Sequence, residues 1–274
     1  MKFAFFKGCR IPKDLPEYEL STKVVLNKLG VELVDIEEFN CCGYPVRHLS
    51  TKASILSTAR NIALARRENL DILTPCKCCY GNLMHSNYML QGSKDLKNEI
   101  NLILSKEGLR WEDDIKIKHL LYVLSNNVGI DVIKKHVKYP LTNMKIAAHY
   151  GCHALRPGKI VKFDNPLAPT IFENLIQVAG AKPVDWSKRL DCCGNPLWGK
   201  NNNLSLKLMR EKIEDAKLAD AEYICTACSY CHIQFDMIRK RELKGDESVP
   251  NIPAILYPQL LGLAMGIDKN KLGF

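Results

Sequence analysis

Ten of the twelve cysteines fall into one pattern that the chain uses twice, and no other feature narrows its folding options as much. The first set is Cys9, Cys41-Cys42-Gly43 and Cys76-x-x-Cys79; the second is Cys152, Cys192-Cys193-Gly194 and Cys228-x-x-Cys231. The stretches between them are 31 and 33 residues long in the first half, 39 and 34 in the second. A single C-x-x-C carries little information, whereas a repeated five-cysteine set is an internal duplication and predicts two units of one design. Cys78 and Cys225 stand outside it: aligning the C-x-x-C pairs sets Cys78 against Tyr230 and Cys225 against Leu73. Cys225 reads as a small buried apolar residue. Cys78 lies inside the first C-x-x-C loop, and the repeat gives it no role.

The apolar pattern between the cysteines repeats as well. Lys2–Phe6 reads as a buried strand running into Cys9, and Tyr18, Val25, Leu26 and Leu29 form one face of a helix over about Glu17–Leu29 that Gly30 stops. Val31–Ile36 is a second strand before Cys41-Cys42. Ile55, Ala59, Ile62 and Ala63 mark a second helix, and Asp71–Thr74 is a third strand before Cys76. In the second half the strands are Lys145–Tyr150, Lys182–Trp186 and Tyr223–Thr226. Their helices carry the stripes Ile171, Leu175, Val178, Ala179 and Leu206, Met209, Ile213, Ala216.

Alternating strands and helices predict an α/β fold of two pseudo-symmetric halves, each a small, mostly parallel sheet flanked by helices. Ligands in such sheets gather beyond the carboxyl ends of the strands, where every cysteine group falls. The expected division is residues 1–140, a first cysteine-rich domain with a helical connector over about Lys94–Lys138, and residues 141–274, a second. Ile252–Gly266 is apolar and reads either as a final core helix or as a helix that docks on a partner.

Twelve cysteines without an export signal point away from structural disulfides and toward metal or redox chemistry, with the protein in the cytoplasm. No apolar stretch is long enough to predict a membrane span. The net charge of +9 favours anionic substrates or acidic partners, but the basic residues are scattered and form no nucleic-acid module. No G-x-G-x-x-G follows a strand, so electrons must come from partner proteins that carry clusters or flavin. A structural zinc takes four ligands, and four thiolates also hold an ordinary iron–sulfur cluster. Five cysteines per half exceed both needs. The adjacent pairs Cys41-Cys42 and Cys192-Cys193 suit a larger or bridged cluster, in which neighbouring thiolates reach different irons. Spacing alone does not name it.

The pattern C-x(31–39)-C-C-G-x(32–33)-C-x-x-C resembles the cysteine-rich CCG domain that occurs twice in the B subunit of heterodisulfide reductase. His149-Tyr150-Gly151-Cys152-His153-Ala154-Leu155-Arg156-Pro157, Phe163-Asp164-Asn165-Pro166 and His119-Leu120-Leu121 are also similar to that family. The resemblance covers nearly the whole chain. It implies a non-cubane [4Fe–4S] cluster in each half, on Cys9, Cys41, Cys42, Cys76 and Cys79 and on Cys152, Cys192, Cys193, Cys228 and Cys231. It further implies a disulfide held between the clusters and cleaved by one electron from each, with proteins like the A and C subunits of heterodisulfide reductase as partners. The family's second CCG is commonly followed by more glycine, whereas here Gly194 leads into Asn195-Pro196-Leu197-Trp198. The first half reads Gly43-Tyr44-Pro45-Val46-Arg47.

His153 directly follows a candidate ligand and is the candidate catalytic proton donor to a forming thiolate; His149 and His232 are weaker candidates. His48, His85 and His136 read as surface or packing residues. Lys7, Arg10, Arg47, Lys77, Arg156 and Lys159 lie near the cysteine loops and are expected to ring an anionic thiol or disulfide substrate. Two function classes follow. One is a catalytic iron–sulfur subunit that reduces or forms a disulfide or related sulfur substrate. The other is a non-catalytic electron relay or anchor in a succinate or fumarate reductase-like complex, with zinc as the alternative metal in one half.

Overall fold

The structure, a computed structural model, describes residues 1–274. The first half holds β1 (Lys2–Phe5), β2 (Glu32–Val34), β3 (Ile72–Thr74) and β4 (Ile117–His119) in the order β2-β1-β3-β4. The second holds β5 (Lys145–His149), β6 (Lys182–Val184), β7 (Tyr223–Thr226) and β8 (Ala254–Leu256) in the order β6-β5-β7-β8. All six strand pairings are parallel. The chain leaves β1 toward β2 on one side and returns to β3 on the other, so the crevice between the ends of β1 and β3 is where the strand order reverses. Such crevices accept ligands because the two following loops splay apart. Cys9 follows β1 and Cys76 follows β3; Cys152 and Cys228 occupy the matching places after β5 and β7.

The helices begin where local chemistry starts them. Pro16 is the first residue of Pro16–Lys28, where its missing N–H costs nothing. The Ser50 side chain caps Thr51–Arg67 by accepting from Ala53 N at 3.2 Å, and Asn201 caps Asn202–Leu218 by accepting from Leu204 N at 3.1 Å.

The connector is helical as expected, but two strands lie outside the periodic pattern. The connector holds more than helices, because β4 lies within it, and Ile252–Gly266 opens with β8 before its helix Tyr257–Ala264. Each sheet therefore has four strands, where periodicity marked three. A three-residue edge strand such as Ile117-Lys118-His119 is too short to display an alternation, and pairing with β3 decides it. The Tyr257–Ala264 helix is a core element: Tyr257, Leu260, Leu261 and Ala264 are buried, and it packs on Pro16–Lys28 of the first half. The connector helix Ile130–His136 packs in turn on Ile171–Val178 of the second. Each half thus covers part of the other, and one continuous apolar core runs through both.

Candidate metal and redox site

Both cysteine sets converge as contiguous thiol networks. In the first half Cys9 and Cys41 lie 3.8 Å apart between sulfurs, Cys41 contacts Cys42, Cys42 contacts Cys79, and Cys79 contacts Cys76. In the second half the contacts run from Cys152 to Cys192, Cys193, Cys231 and Cys228 in the same order. All twelve cysteines are free thiols. Hydrogen bonds from Cys42 and Cys9 pull the Cys41 thiol far below its ordinary value, and those from Cys152 and Cys193 do the same to Cys192. Cys76 is lowered as well: burial raises it, but hydrogen bonds with Cys228, Cys78, Cys79 and Ser229 outweigh that.

The glycine after each pair is required by geometry. Gly43 and Gly194 adopt φ of 91° and 88°, in the left-handed region. A Cβ on Gly43 would lie 2.7 Å from the Ser54 carbonyl oxygen, and one on Gly194 2.6 Å from that of Ser205. The turn must press against the following helix so that the glycine N–H can point back at the sulfur, as Gly194 N does toward Cys192 Sγ at 3.4 Å. Gly8 is similarly tight, since its Cβ would sit 2.8 Å from Cys79 Sγ.

The two networks meet at the junction of the halves. Cys76 and Cys228 sulfurs are 3.8 Å apart, and Ser229 Oγ lies 3.1 Å from Cys76 Sγ. Cys78, left without a role by the repeat, sits on the second half's side, 3.8 Å from Cys228 Sγ and 3.6 Å from His153 Nδ1. His153 Nδ1 is also 3.4 Å from Cys152 Sγ, and its ring meets Tyr44 edge-on at 4.9 Å. Burial lowers its pKa to about 4, so the ring is neutral, with Nδ1 turned to the two sulfurs. Cys225 is fully buried within β7, away from both networks.

His149 is buried with neither ring nitrogen partnered, and one of them lies within 4.8 Å of the Cys193 and Cys231 sulfurs. Burial keeps it neutral. Two lysines back the same site. Lys77, 2% exposed, donates to His149 O at 2.9 Å; Lys212, 1% exposed, donates to Lys188 O. Burial brings each down to about 8. His232 is bound to Thr226 Oγ1 at 3.1 Å and serves packing.

The expected ring of six cations does not form. Lys7 is paired with Glu19 and Asp35, Arg156 donates to Leu190 O, and Lys77 is inside the protein. Only Arg10 and Arg47 face the junction: Arg10 lies 6.0 Å from the Tyr230 ring and Arg47 4.3 Å from that of Tyr44. Sequence proximity to a loop does not fix which way a long side chain turns. A groove of about 450 Å³ opens beside Tyr44 and Tyr230, with Arg10 from the first half and Trp198, Lys200 and Arg241 from the second.

Sequence reasoning passed over His119 except as part of a family motif, yet it joins the two ligand loops. Its Nδ1 accepts from Leu121 N at 3.2 Å, which puts the proton on Nε2. Nε2 lies 3.1 Å from both Pro75 O and Ala227 O, the carbonyls just before Cys76 and Cys228. Replacing His119 by alanine should leave the buried Ala227 carbonyl short of a donor, while Pro75 O keeps the Tyr18 hydroxyl at 2.6 Å, and cost about 1–3 kcal/mol. Urea unfolding of anaerobic protein measures this, and a change under about 1 kcal/mol would contradict the clamp.

The residues present fit an iron–sulfur group. Ten soft sulfur donors are gathered in two sets, with two buried lysines and an unpartnered imidazole against the second. No helix is long and apolar enough to cross a membrane.

Fold and site together define a protein built from two cysteine-rich CCG domains, and the family described as "Cysteine-rich domain" (CCG) matches residues 3–84 and 146–236. The B subunit of the ferredoxin/F420H2-dependent CoB-CoM heterodisulfide reductase of Methanosarcina acetivorans is 34% identical, with 99% of this chain and 92% of that one covered. The 8-methylmenaquinol:fumarate reductase membrane anchor subunit of Wolinella succinogenes is also 34% identical, over 99% and 95%. A protein of Archaeoglobus profundus described as like the heterodisulfide reductase B subunit is 32% identical, over 99% and 93%. The chain belongs to the family of duplicated CCG-domain proteins typified by the heterodisulfide reductase B subunit and is homologous to its iron–sulfur redox members. A crystal structure of a hypothetical protein from Helicobacter pylori has the same fold, with a TM-score of 0.78 at 19% identity. That match covers 99% of this chain and 50% of the Helicobacter one.

Proposed function

We propose that this chain is an iron–sulfur oxidoreductase subunit that reduces, or in reverse forms, a disulfide or related sulfur substrate at two non-cubane [4Fe–4S] clusters. Cys9, Cys41, Cys42, Cys76 and Cys79 would hold one; Cys152, Cys192, Cys193, Cys228 and Cys231 the other. When bound, each cluster supplies one electron, so that R–S–S–R′ with two electrons and two protons gives two thiols. The observation that carries the reading is the meeting of the two thiol networks at Cys76 and Cys228, 3.8 Å apart, beside a groove open to solvent. Both sulfurs are buried and no cysteine lines the groove, so a disulfide entering there would reach the two sets only past Tyr44 and Tyr230.

The chain's own residues have definite tasks in this reading. Tyr44 and Tyr230, edge to face at 5.7 Å, close the inner end of the groove and exclude water. Arg10 is paired with Asp14 and Arg241 with Glu242, so Lys200 is the groove cation that favours an anionic substrate. His153 presents Nδ1 to the junction sulfurs and, in the tautomer protonated there, gives a hydrogen bond to a forming thiolate. The electrons come from iron–sulfur or flavin partner subunits, in the cytoplasm.

The identity to a membrane anchor subunit supports a second reading, an electron relay or anchor with zinc in one half. Anaerobically purified protein separates the two. The first reading expects about eight irons per chain, four from each cluster, and disulfide cleavage driven by a low-potential dye. His153→Phe should cut that turnover at least about tenfold with iron unchanged. Stoichiometric zinc without iron, or full iron with no turnover of any disulfide, favours the anchor.

A further inference from the structure

The two sites share a plan but differ in buried charge. Matching the halves on their cysteines pairs Phe6 with His149, Asn61 with Lys212, and Ser229 with Lys77. The last pair crosses over. Lys77 comes from the first half's C-x-x-C loop but points into the second half, where its ammonium is held by His149 O at 2.9 Å and lies 4.6 Å from the Phe172 ring. Ser229 makes the reciprocal crossing and offers the first site a hydroxyl, 3.1 Å from Cys76 Sγ. Lys212 lies 4.7 Å from the Trp186 ring behind Cys193. Neither lysine has a carboxylate in salt-bridge contact. Their partners are carbonyl oxygens, which accept a hydrogen bond but do not neutralise the donor's charge, and the carboxylates that act on them, Asp191 on Lys212 and Glu173 on Lys77, do so only at a distance.

Buried lysines are rarely left unpaired, and two at one thiol site constitute a fixed positive wall. The corresponding wall of the first site is made by Phe6, Asn61 and Ser229, all uncharged. Asn61 directs its amide to the carbonyls of Asn40, Cys41 and Ser57.

Resting on the two-cluster reading above, we propose that Lys77 and Lys212 make the second site's cluster the more readily reduced of the two. Reduction by a one-electron donor, an iron–sulfur or flavin protein, adds one negative charge to a cluster. A fixed cation in a dry wall stabilises that charge several-fold more than the same cation in water would. The first site has somewhat more solvent, since Cys9 is exposed where its counterpart Cys152 is half-buried; Cys41 and Cys192 are both half-buried. Water is mobile and of high dielectric, and it supplies less than two oriented full charges. Electrons delivered at the first site, the more exposed of the two, would therefore run downhill to the second.

Redox titration of anaerobic protein, followed by electron paramagnetic resonance, tests this. Cys41→Ser and Cys192→Ser, which each remove one cluster, assign the signals. At a fixed potential the second site should show a reduced-to-oxidised ratio at least about tenfold above the first, which is about 59 mV for a one-electron couple. Lys212→Met should lower that ratio at the second site at least about fivefold and leave the first unchanged. Should Lys212→Met fail to take up iron, the comparison of the two wild-type sites decides alone. Equal ratios, or a first site reduced more readily, overturn the proposal and leave the two-cluster reading standing. So does an iron-replete Lys212→Met with unshifted signals. A wild-type second site without iron overturns both.

Discussion

Replacing Cys192 by serine should remove about half of the iron from anaerobically prepared protein and leave the first site loaded. Hydrogen bonds from Cys152 and Cys193, with the Gly194 N–H, pull the Cys192 thiol far below its ordinary value. A hydroxyl oxygen is a hard donor with a far higher pKa than a thiol and does not replace thiolate on iron. Cys41→Ser should remove the other half by the same argument. The variants should also lose stability, because a ligand set that binds no metal leaves several buried thiols without their compensating bonds. The spare cysteines provide the control. Cys225→Ala and Cys78→Ala should both retain all the iron: Cys225 is enclosed in β7, and Cys78, though it touches Cys228, belongs to neither five-membered set. If Cys78→Ala lost about four irons while Cys76→Ala lost none, the first ligand set would have to be redrawn around Cys78.

Gly194→Val should be among the most damaging substitutions that leave every sulfur in place. The left-handed backbone costs a β-branched residue about 1–2 kcal/mol by itself. The new Cβ would also meet the Ser205 carbonyl, so the Asn202–Leu218 helix would have to move away from the turn. Together these should destabilise the protein by at least about 3 kcal/mol. The same movement takes the Gly194 N–H off Cys192, so iron at the second site should fall too. Urea unfolding together with iron analysis reads both losses. Gly199→Val is the fitting contrast: Gly199 also has positive φ, 82°, but no atom lies near its missing Cβ. It should bear only the backbone cost and keep its iron.

The sequence by itself determined the duplication, the α/β class, the order of strands and helices around the cysteines, and the placement of all ten patterned cysteines after strand ends. These are properties of spacing and local pattern. An apolar stripe every three to four residues, a glycine past a helix end, or a cysteine directly after a buried strand needs no partner to be legible. The family was legible for the same reason, since the CCG pattern and the Cys152-His153 segment are contiguous in the chain.

Tertiary structure decided the rest. β4 and β8 exist because a neighbouring strand edge is there to pair with, not because three residues prefer extension. Tyr257–Ala264 is a core helix because Pro16–Lys28 of the other half lies against it. The six cations near the cysteine loops scatter, because salt bridges and burial, not sequence distance, direct a long side chain. The role of His119 depends on Pro75 and Ala227, residues 44 and 108 positions away that meet only when the halves close on each other. Lys77 is the sharpest case: one residue from a cysteine of the first set, it lends its charge to the second. A repeat in the sequence establishes two similar sites, but which side chains cross between them depends on how the halves pack, and that is not written in either half alone.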